Sequence, residues 1–227
     1  MLIEVIVQNH DEAIKAEKLG ADRLELVSAI TEGGLTPSYG TIKQVLSKVT
    51  IPVQVMIRPH SYHYLYSKAD SEIILEDIKK ILDLGGNRIV FGALNQDNTV
   101  DEETLSKLVS LSSRLDITFH RAFDEVPSQT DAYATLLKYK KNVKRVLTSG
   151  GKSNCETGKY QLSELVKLAE QTNGPEIMPG SGLTPSNFES VHQIVNARQY
   201  HFGTAMRKEQ SFANEFDEQA FVKLRQF

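Results

Sequence analysis

Residues 1–27, MLIEVIVQNHDEAIKAEKLGADRLELV, contain two short β-branched runs with a helical pattern between them. The runs cover residues 2–7 and 23–27, and the charged segment that separates them is long enough for a helix. A strand, a helix and a second strand in this order are typical of a βα unit, in which consecutive strands lie parallel. This stretch therefore predicts an α/β fold that is built on a parallel sheet.

The same pattern continues through the rest of the chain. Apolar residues at helical spacing, such as Ile74, Ile78 and Ile81, separate most of the further strand-like runs. These runs cover residues 53–57, 88–91, 117–120, 145–148, 176–178 and 199–202. Eight parallel strands favour a closed (β/α)8 barrel of the TIM type, and an open doubly wound sheet is the alternative architecture.

One domain over residues 1–227 is predicted, since 40% of the residues are hydrophobic and no linker or low-complexity segment divides the chain. The last βα unit has the weakest pattern, because residues 203–216 are polar and irregular. A short apolar pattern follows at residues 221–224. We expect it to close the bottom of the barrel or to contact a partner, which leaves a homo-oligomer open.

Composition and charge argue against several classes of function. The net charge of −3 gives no broad basic surface, so nucleic acid is not expected as a partner. The first residues lack the features of a signal peptide, and no stretch reaches the roughly 20 apolar residues of a membrane span. With Cys155 as the single cysteine, an internal disulfide and a cysteine cluster are excluded, and we expect a cytoplasmic location.

Polar residues at the carboxyl ends of the predicted strands are the candidates for function, because active sites of such barrels lie there. Side-chain alternation predicts that the inward-facing set includes Glu4, Glu25, Arg58 and His120. As a functional set, His120 would act as an acid or base near neutral pH and Arg58 would clamp an anion. As a structural set, Glu4 or Glu25 would neutralise Arg58 or Arg23. A face assignment that is wrong by one residue would send all of them outward.

The densest cluster is TFHRAFD at residues 118–124. It adds Arg121 as a second cation for an anionic ligand, and it adds Asp124, which would orient His120 or cap the next turn. The predicted catalytic residues are therefore Glu4, Glu25, Arg58, His120 and Asp124.

Glycine-rich loops follow the sixth and seventh predicted strands. Such loops can present backbone amides to an anion, and phosphate sites in these barrels often use the loops after strands seven and eight. The structural alternative is that the glycines only permit tight turns. Together with Arg121, the predicted ligand-binding residues are Thr148, Ser149, Gly150, Gly180, Ser181 and Gly182.

No metal ligands are predicted from the pattern, and no other cofactor is evident. A site for a hard metal needs several carboxylates or histidines at strand ends. His60 and His63 instead lie in the tyrosine-rich segment 60–66, which has the character of a lid or rim.

Five strings of residues resemble the CutC family in their order and spacing. They are GADRLEL at 20–26, EGGLTPS at 32–38, VMIRP at 55–59, TFHRAFD at 118–124 and LTSGG at 147–151. The resemblance covers most of the chain from Glu4 to about Arg207. It implies a (β/α)8 barrel in the cytoplasm with a role in copper homeostasis.

The resemblance also implies copper(I) as a ligand, held by one cysteine near the end of each of the first two strands. This sequence has Ile6 and Val27 at those positions. Copper(I) prefers thiolate and thioether ligands, and the soft side chains that remain near strand ends are Met56 and Met178. Two hypotheses follow, namely a CutC-like copper homeostasis protein and an enzyme or sensor for a small anionic or phosphorylated metabolite.

Overall fold

The computed structural model describes residues 1–227 and contains eight strands that alternate with helices. Each strand begins and ends within two residues of a predicted run. The strands are β1 (Leu2–Val7), β2 (Arg23–Leu26), β3 (Val53–Met56), β4 (Arg88–Phe91), β5 (Asp116–Phe119), β6 (Val143–Thr148), β7 (Glu176–Pro179) and β8 (Gln199–Phe202).

The helices follow the strands in sequence, and most begin at a side-chain cap. At the start of α3, for example, the Ser67 hydroxyl accepts from the Asp70 amide while the Asp70 carboxylate accepts from the Ser67 amide. None of the helices combines the length and the apolar character that crossing a bilayer requires. They are α1 (His10–Lys18), α2 (Tyr39–Lys48), α3 (Lys68–Asp83), α4 (Glu102–Leu111), α5 (Gln129–Leu137), α6 (Cys155–Thr172), α7 (Phe188–Val195) and α8 (Glu218–Leu224).

The eight strands form one parallel sheet in the order β7-β6-β5-β4-β3-β2-β1-β8. The two ends of this sheet also meet, because Gly180, directly after β7, forms a parallel bridge with His201 in β8. The sheet is thus closed into a barrel. The TIM-barrel prediction is confirmed, and the open doubly wound alternative is wrong.

The barrel has an apolar outer layer and a polar interior. Alternate strand residues such as Val5, Leu24 and Val55 are fully buried in one large apolar cluster with the inner faces of the helices. The residues between them, including Glu4 and Gln54, are equally buried but make their contacts with other polar side chains inside the barrel. The polar interior therefore needs partners for each of its charges.

The last βα unit is irregular, as the sequence predicts. Two short 3₁₀ turns, Thr204–Met206 and Lys208–Gln210, replace the usual loop between β8 and α8. Beyond them, the Phe227 ring packs 5.2 Å from that of Phe188 in α7, and Arg225 forms an ion pair of 2.8 Å with Asp22. Within the apolar pattern at residues 221–224, Phe221 and Leu224 are buried, whereas Val222 is exposed.

Candidate functional site

A cavity of about 490 Å³ opens at the carboxyl ends of the strands. This volume is within the range of sites for small molecules. Strand residues lie deepest in it, and loop residues surround its mouth. Its polar lining residues include Glu25, Glu32, Arg58, Tyr64, His120, Arg121, Glu125, Ser181, Thr184 and His201.

Arg58 follows β3 and places a buried guanidinium in the cavity wall, with only 7% of the residue exposed. Its Nη1 and Nη2 atoms donate to the backbone oxygens of Glu32 and Ser61, at 3.3 and 3.1 Å. The Tyr64 ring lies 4.9 Å from the guanidinium carbon. The Nε atom has no partner, and no carboxylate lies within ion-pair distance of the guanidinium. Arg58 is therefore a buried cation without a counter-ion.

His120 follows β5 and turns its ring into the same cavity. Its Nδ1 atom accepts a hydrogen bond of 3.2 Å from the Ala122 amide, which requires the ring proton to be on Nε2. The Nε2 atom is buried without a partner. Burial, together with the nearby Arg58, lowers the pKa of His120 to about 3. The lowered pKa favours a neutral ring whose Nε2 hydrogen can be donated to a ligand.

The position of the His120 ring depends on Gly92, which follows β4. A Cβ atom at residue 92 would lie 2.5 Å from Nδ1 of His120. Any side chain at this position would displace the ring, because such a distance is far below van der Waals contact. The glycine after β4 therefore contributes to the site by leaving space for the histidine.

Glu4 lies below the cavity and is the centre of a buried ion-pair chain. Arg23 Nε donates to Glu4 Oε2, and Arg23 Nη2 donates to Gln199 Oε1 at 2.6 Å. His201 Nδ1 is 2.8 Å from Glu4 Oε1. Burial alone would raise the pKa of Glu4, but Arg23 and His201 outweigh it and lower the pKa to about 2. Of the structural alternatives, the pairing of Glu4 with Arg23 is present, whereas the pairing of either glutamate with Arg58 is absent.

Glu25 lies above Glu4 and faces the cavity. Its Oε2 atom is 3.8 Å from His201 Nε2, and its Oε1 atom is buried without a partner. Burial raises the pKa of Glu25 to about 7. Burial opposes protonation of His201, but Glu25 and Glu4 prevail and raise its pKa. Potential ligand atoms of Glu4, Glu25 and His201 all lie within 4.8 Å of one another, so this group could hold a metal ion.

Asp124 organises the loop after β6. Its carboxylate accepts from the Thr148 hydroxyl, from the amides of Ser149 and Gly151 at 3.1 Å, and from Arg121 Nε at 2.8 Å. None of its hydrogen bonds goes to the histidine of the same segment, so it does not orient that ring. The structure instead gives Asp124 the role of an internal anion that fixes the loop.

The two glycine-rich loops consequently differ in what they offer a ligand. In the loop containing Thr148, Ser149 and Gly150, the polar groups are already bound to Asp124 or to one another. In the loop after β7, Gly180 donates to the Thr148 carbonyl, while Ser181 and Gly182 line the cavity. Gly182 has a φ of +67°, and a Cβ atom there would lie 2.8 Å from Asn154. The second loop is thus the one that can reach a ligand.

The side chains present do not form a thiolate site for copper(I). Val27 and Met56 belong to a small apolar cluster against which Ile6 packs. Met178 is occupied differently, since its sulfur lies 3.0 Å from Arg23 Nη2. Cys155 is buried at the start of α6, and burial raises the pKa of its thiol to about 12. A soft thiolate pair is therefore absent from the carboxyl face.

His201 is the site residue that the sequence reasoning missed. It lies in β8 between Gln199 and Gly203, and the period of two along a strand places all three on the inward face. The signal is the alternation of polar and aromatic residues in QYHF at residues 199–202. The sequence indicates Arg23 only as a neutralising partner for Glu4 or Glu25. In the structure it also joins Glu4 to Gln199.

Comparison with known proteins connects this barrel to one family. The family model described as "CutC family" matches residues 1–206. The human copper homeostasis protein cutC homolog is 40% identical over 202 residues, which cover 88% of this chain and 72% of the relative. The family protein CutC of Treponema denticola is 36% identical over 208 residues, covering 92% and 83% of the two chains.

Solved structures give the same result. The crystal structure of a copper homeostasis protein CutC from Streptococcus agalactiae superposes with a TM-score of 0.81 at 30% identity, covering 89% of this chain and 98% of that one. Phosphoribosyl anthranilate isomerase from Thermotoga maritima superposes with a TM-score of 0.65 at 12% identity, covering 100% and 97%. At this low identity the second likeness shows a common barrel fold only.

Proposed function

Because this chain belongs to the CutC family, we propose that it has a role in copper homeostasis in the cytoplasm and that the carboxyl face of its barrel binds a small anionic metabolite. The first part follows the names of its relatives, and the single buried cysteine suits a reducing compartment. The second part rests on one observation, which is the buried guanidinium of Arg58 that faces the cavity without a carboxylate partner.

An anion in the cavity would supply the charge that Arg58 lacks. A buried cation is costly unless it is paired, and a carboxylate or phosphate group can accept two parallel hydrogen bonds from a guanidinium. The carbonyls of Glu32 and Ser61 and the Tyr64 ring hold the guanidinium in place before the ligand arrives. The site is thus preorganised for an anion.

His120 supports the same ligand from the neighbouring wall. Its Nε2 hydrogen has no acceptor in the protein, and the ring stays neutral between pH 5 and 8 because its pKa is lowered to about 3. A neutral donor can bind an oxygen of the ligand, but it cannot serve as a general base and acid around neutral pH. Binding, as in a sensor, is therefore favoured over turnover.

The loop after β7 favours a phosphorylated ligand within this class. The Gly182 amide donates to no group of the protein, and Ser181 and Thr184 line the same side of the cavity. Arg121 stands at the mouth, half-exposed, and its charge is already paired with Asp124, so Arg58 remains the unpaired cation of the cavity. A ligand that carries only a carboxylate group would bind Arg58 and His120 and would not use the loop after β7.

Copper(I) binding is the second candidate function. The observation in its favour is that the Met56 thioether and His201 line one cavity. One thioether and one imidazole make a weaker set for copper(I) than the pair of thiolates implied by the family. If this set of side chains does not bind copper(I), the role of the chain in copper homeostasis depends on a ligand other than the metal.

The test is calorimetric titration of the metal-free protein with inorganic phosphate and with a panel of phosphorylated and carboxylate metabolites. We expect at least one of them to bind, and Arg58→Gln to weaken it about 10–100-fold, because a charge-assisted hydrogen bond is lost. Arg114→Gln removes an exposed arginine outside the cavity and is the matched control. Equal affinities in the wild type and Arg58→Gln would refute the proposal.

A parallel titration with copper(I) under a competing chelator separates the second candidate. Tight binding that is lost in Met56→Leu and retained in Arg58→Gln would support copper(I) as the ligand. The reverse pattern, with anion binding lost in Arg58→Gln and no copper(I) bound, supports the anion.

A further inference from the structure

We propose that His201 and Glu25 bind a divalent first-row cation such as Zn²⁺ or Mn²⁺ at the base of the cavity, and that Glu4 orients the histidine for it. This site goes beyond the proposed anion site in both its ligand and its residues. It can be tested without any anion.

The spacing of the two ligand residues suits a bound ion. His201 Nε2 and Glu25 Oε2 are 3.8 Å apart, which is too long for a hydrogen bond. Two ligands that each lie about 2.1 Å from a tetrahedral metal are about 3.4 Å apart. A small movement of either side chain would therefore place both atoms on one ion.

The tautomer of His201 is fixed by Glu4. A carboxylate only accepts hydrogen bonds, so the 2.8 Å contact between Glu4 Oε1 and His201 Nδ1 requires the hydrogen to be on Nδ1. The lone pair of the neutral ring is then on Nε2, which is the atom nearest to Glu25. A carboxylate that holds a metal-binding histidine through its other nitrogen is the usual outer-shell arrangement at such sites. The ion pair with Arg23 keeps Glu4 available for this role.

Glu25 provides the second, independent indication. Its Oε1 atom is buried with no partner, although only 3% of the residue is exposed. Arg23 is already paired with Glu4, so the group beside the Glu25 carboxylate that can carry a positive charge is the His201 ring, whose proton on Nε2 a metal ion would replace. An unsatisfied carboxylate oxygen beside an imidazole lone pair is accounted for by a cation between them.

The donor atoms also indicate which cation. Imidazole nitrogen and carboxylate oxygen suit Zn²⁺ and Mn²⁺, whereas copper(I) prefers sulfur. The protein offers fewer ligands than the four of a structural zinc site, and the remaining positions face the cavity, where both side chains are lining residues. The site is thus an open one, and we expect it to exchange its ion more readily than a closed structural site.

The experiment titrates metal-free protein with Zn²⁺, Mn²⁺ and Co²⁺ under a competing chelator at pH 7.5, with no anion of the panel present. We expect one equivalent to bind, with visible absorption bands for Co²⁺. Glu25→Gln and His201→Gln should each weaken binding at least 100-fold, and Glu4→Gln should weaken it about 10–100-fold, as outer-shell partners do. His192→Gln, which alters a half-buried histidine outside the cavity, should leave the affinity unchanged.

Several results would overturn the proposal. They are failure of all three cations to bind, retention of binding in both Glu25→Gln and His201→Gln, which would place the ion on other histidines, and equal loss in His192→Gln. Matching circular dichroism and thermal unfolding of the variants confirm that each one is folded, and the wild-type titration needs no variant at all. Anion binding measured in the presence of a chelator reports separately on Arg58, so either proposal can fail alone.

Discussion

Both ends of the barrel interior hold charged side chains, but they differ in how these charges are satisfied. At the amino-terminal end, Arg145 Nη1 lies 2.7 Å from Asp116 Oδ1, Arg88 binds the other oxygen, and Gln54 donates to the same carboxylate. At the carboxyl end, Arg58 has no counter-ion and His120 Nε2 has no acceptor. The comparison shows that burial of a charge does not indicate function by itself. A buried charge without a counter-ion marks a candidate site, because a ligand can supply the missing charge.

The largest effect should come from breaking the satisfied end. Asp116→Ala leaves Arg145 buried without its partner, and we expect it to lower the free energy of unfolding by about 3–5 kcal/mol. Chemical denaturation measures this loss. Glu103→Ala, which removes an exposed ion pair with Lys107, should cost less than about 1 kcal/mol. Similar losses in the two variants would contradict the contrast between a buried and an exposed pair.

The pH dependence of stability tests the same ion pair with a smaller substitution at Asp116. Burial would raise the pKa of Asp116, but Arg145 and Arg88 outweigh it and hold the pKa below its usual value. The stabilisation is then complete above the unfolded pKa and is lost as the pH falls through the folded pKa. Asp116→Asn should cost about 1.5–3 kcal/mol at pH 7, with the difference from the wild type shrinking below about pH 4. A difference that stays constant from pH 7 to pH 2 would show that the charge is not responsible.

At the carboxyl end of the barrel, a larger side chain at residue 92 should lower both stability and anion binding. Gly92→Ala places a Cβ atom against the His120 ring, so we expect a loss of about 1–3 kcal/mol and a weakened anion site. Gly85→Ala is a control whose Cβ atom would meet nothing within 4 Å, although its positive φ adds backbone strain. Anion affinity, measured by calorimetry, should fall only in Gly92→Ala. Unchanged affinity there would mean that the ring position does not matter.

The smallest change in stability should come from removing the unpaired cation. Arg58→Met deletes a buried charge that has no counter-ion, so we expect the free energy of unfolding to change by less than about 1 kcal/mol, or to rise, while anion binding is lost. Thermal unfolding and calorimetry on one preparation measure both. A loss of stability above about 2 kcal/mol would show that Arg58 belongs to the structural network after all.

Much of this contrast was accessible from the sequence. The period of two along the strands was enough to place Glu25, Arg58 and His120 on the inward face, and eight β-branched runs were enough to favour a barrel. The partners were not accessible, because they lie far apart in the chain. His201 meets Glu4 at a separation of 197 residues, and whether Glu4 pairs with Arg23 or Arg58 depends on the register between strands.

The role of Asp124 was out of reach for a similar reason. Three of its four partners come from a loop 24 or more residues away, and nothing in TFHRAFD indicates that the carboxylate binds Thr148 instead of His120. The charge state of His120 depends on burial, which a local pattern does not report.

The barrel is joined between β7 and β8 by one bridge, Gly180 to His201, while β8 pairs with β1 over four residues. Glu4 and Glu25 lie on β1 and β2, whereas the histidine between them lies on β8. The cluster of the three side chains therefore exists only after the first and the eighth strand have paired.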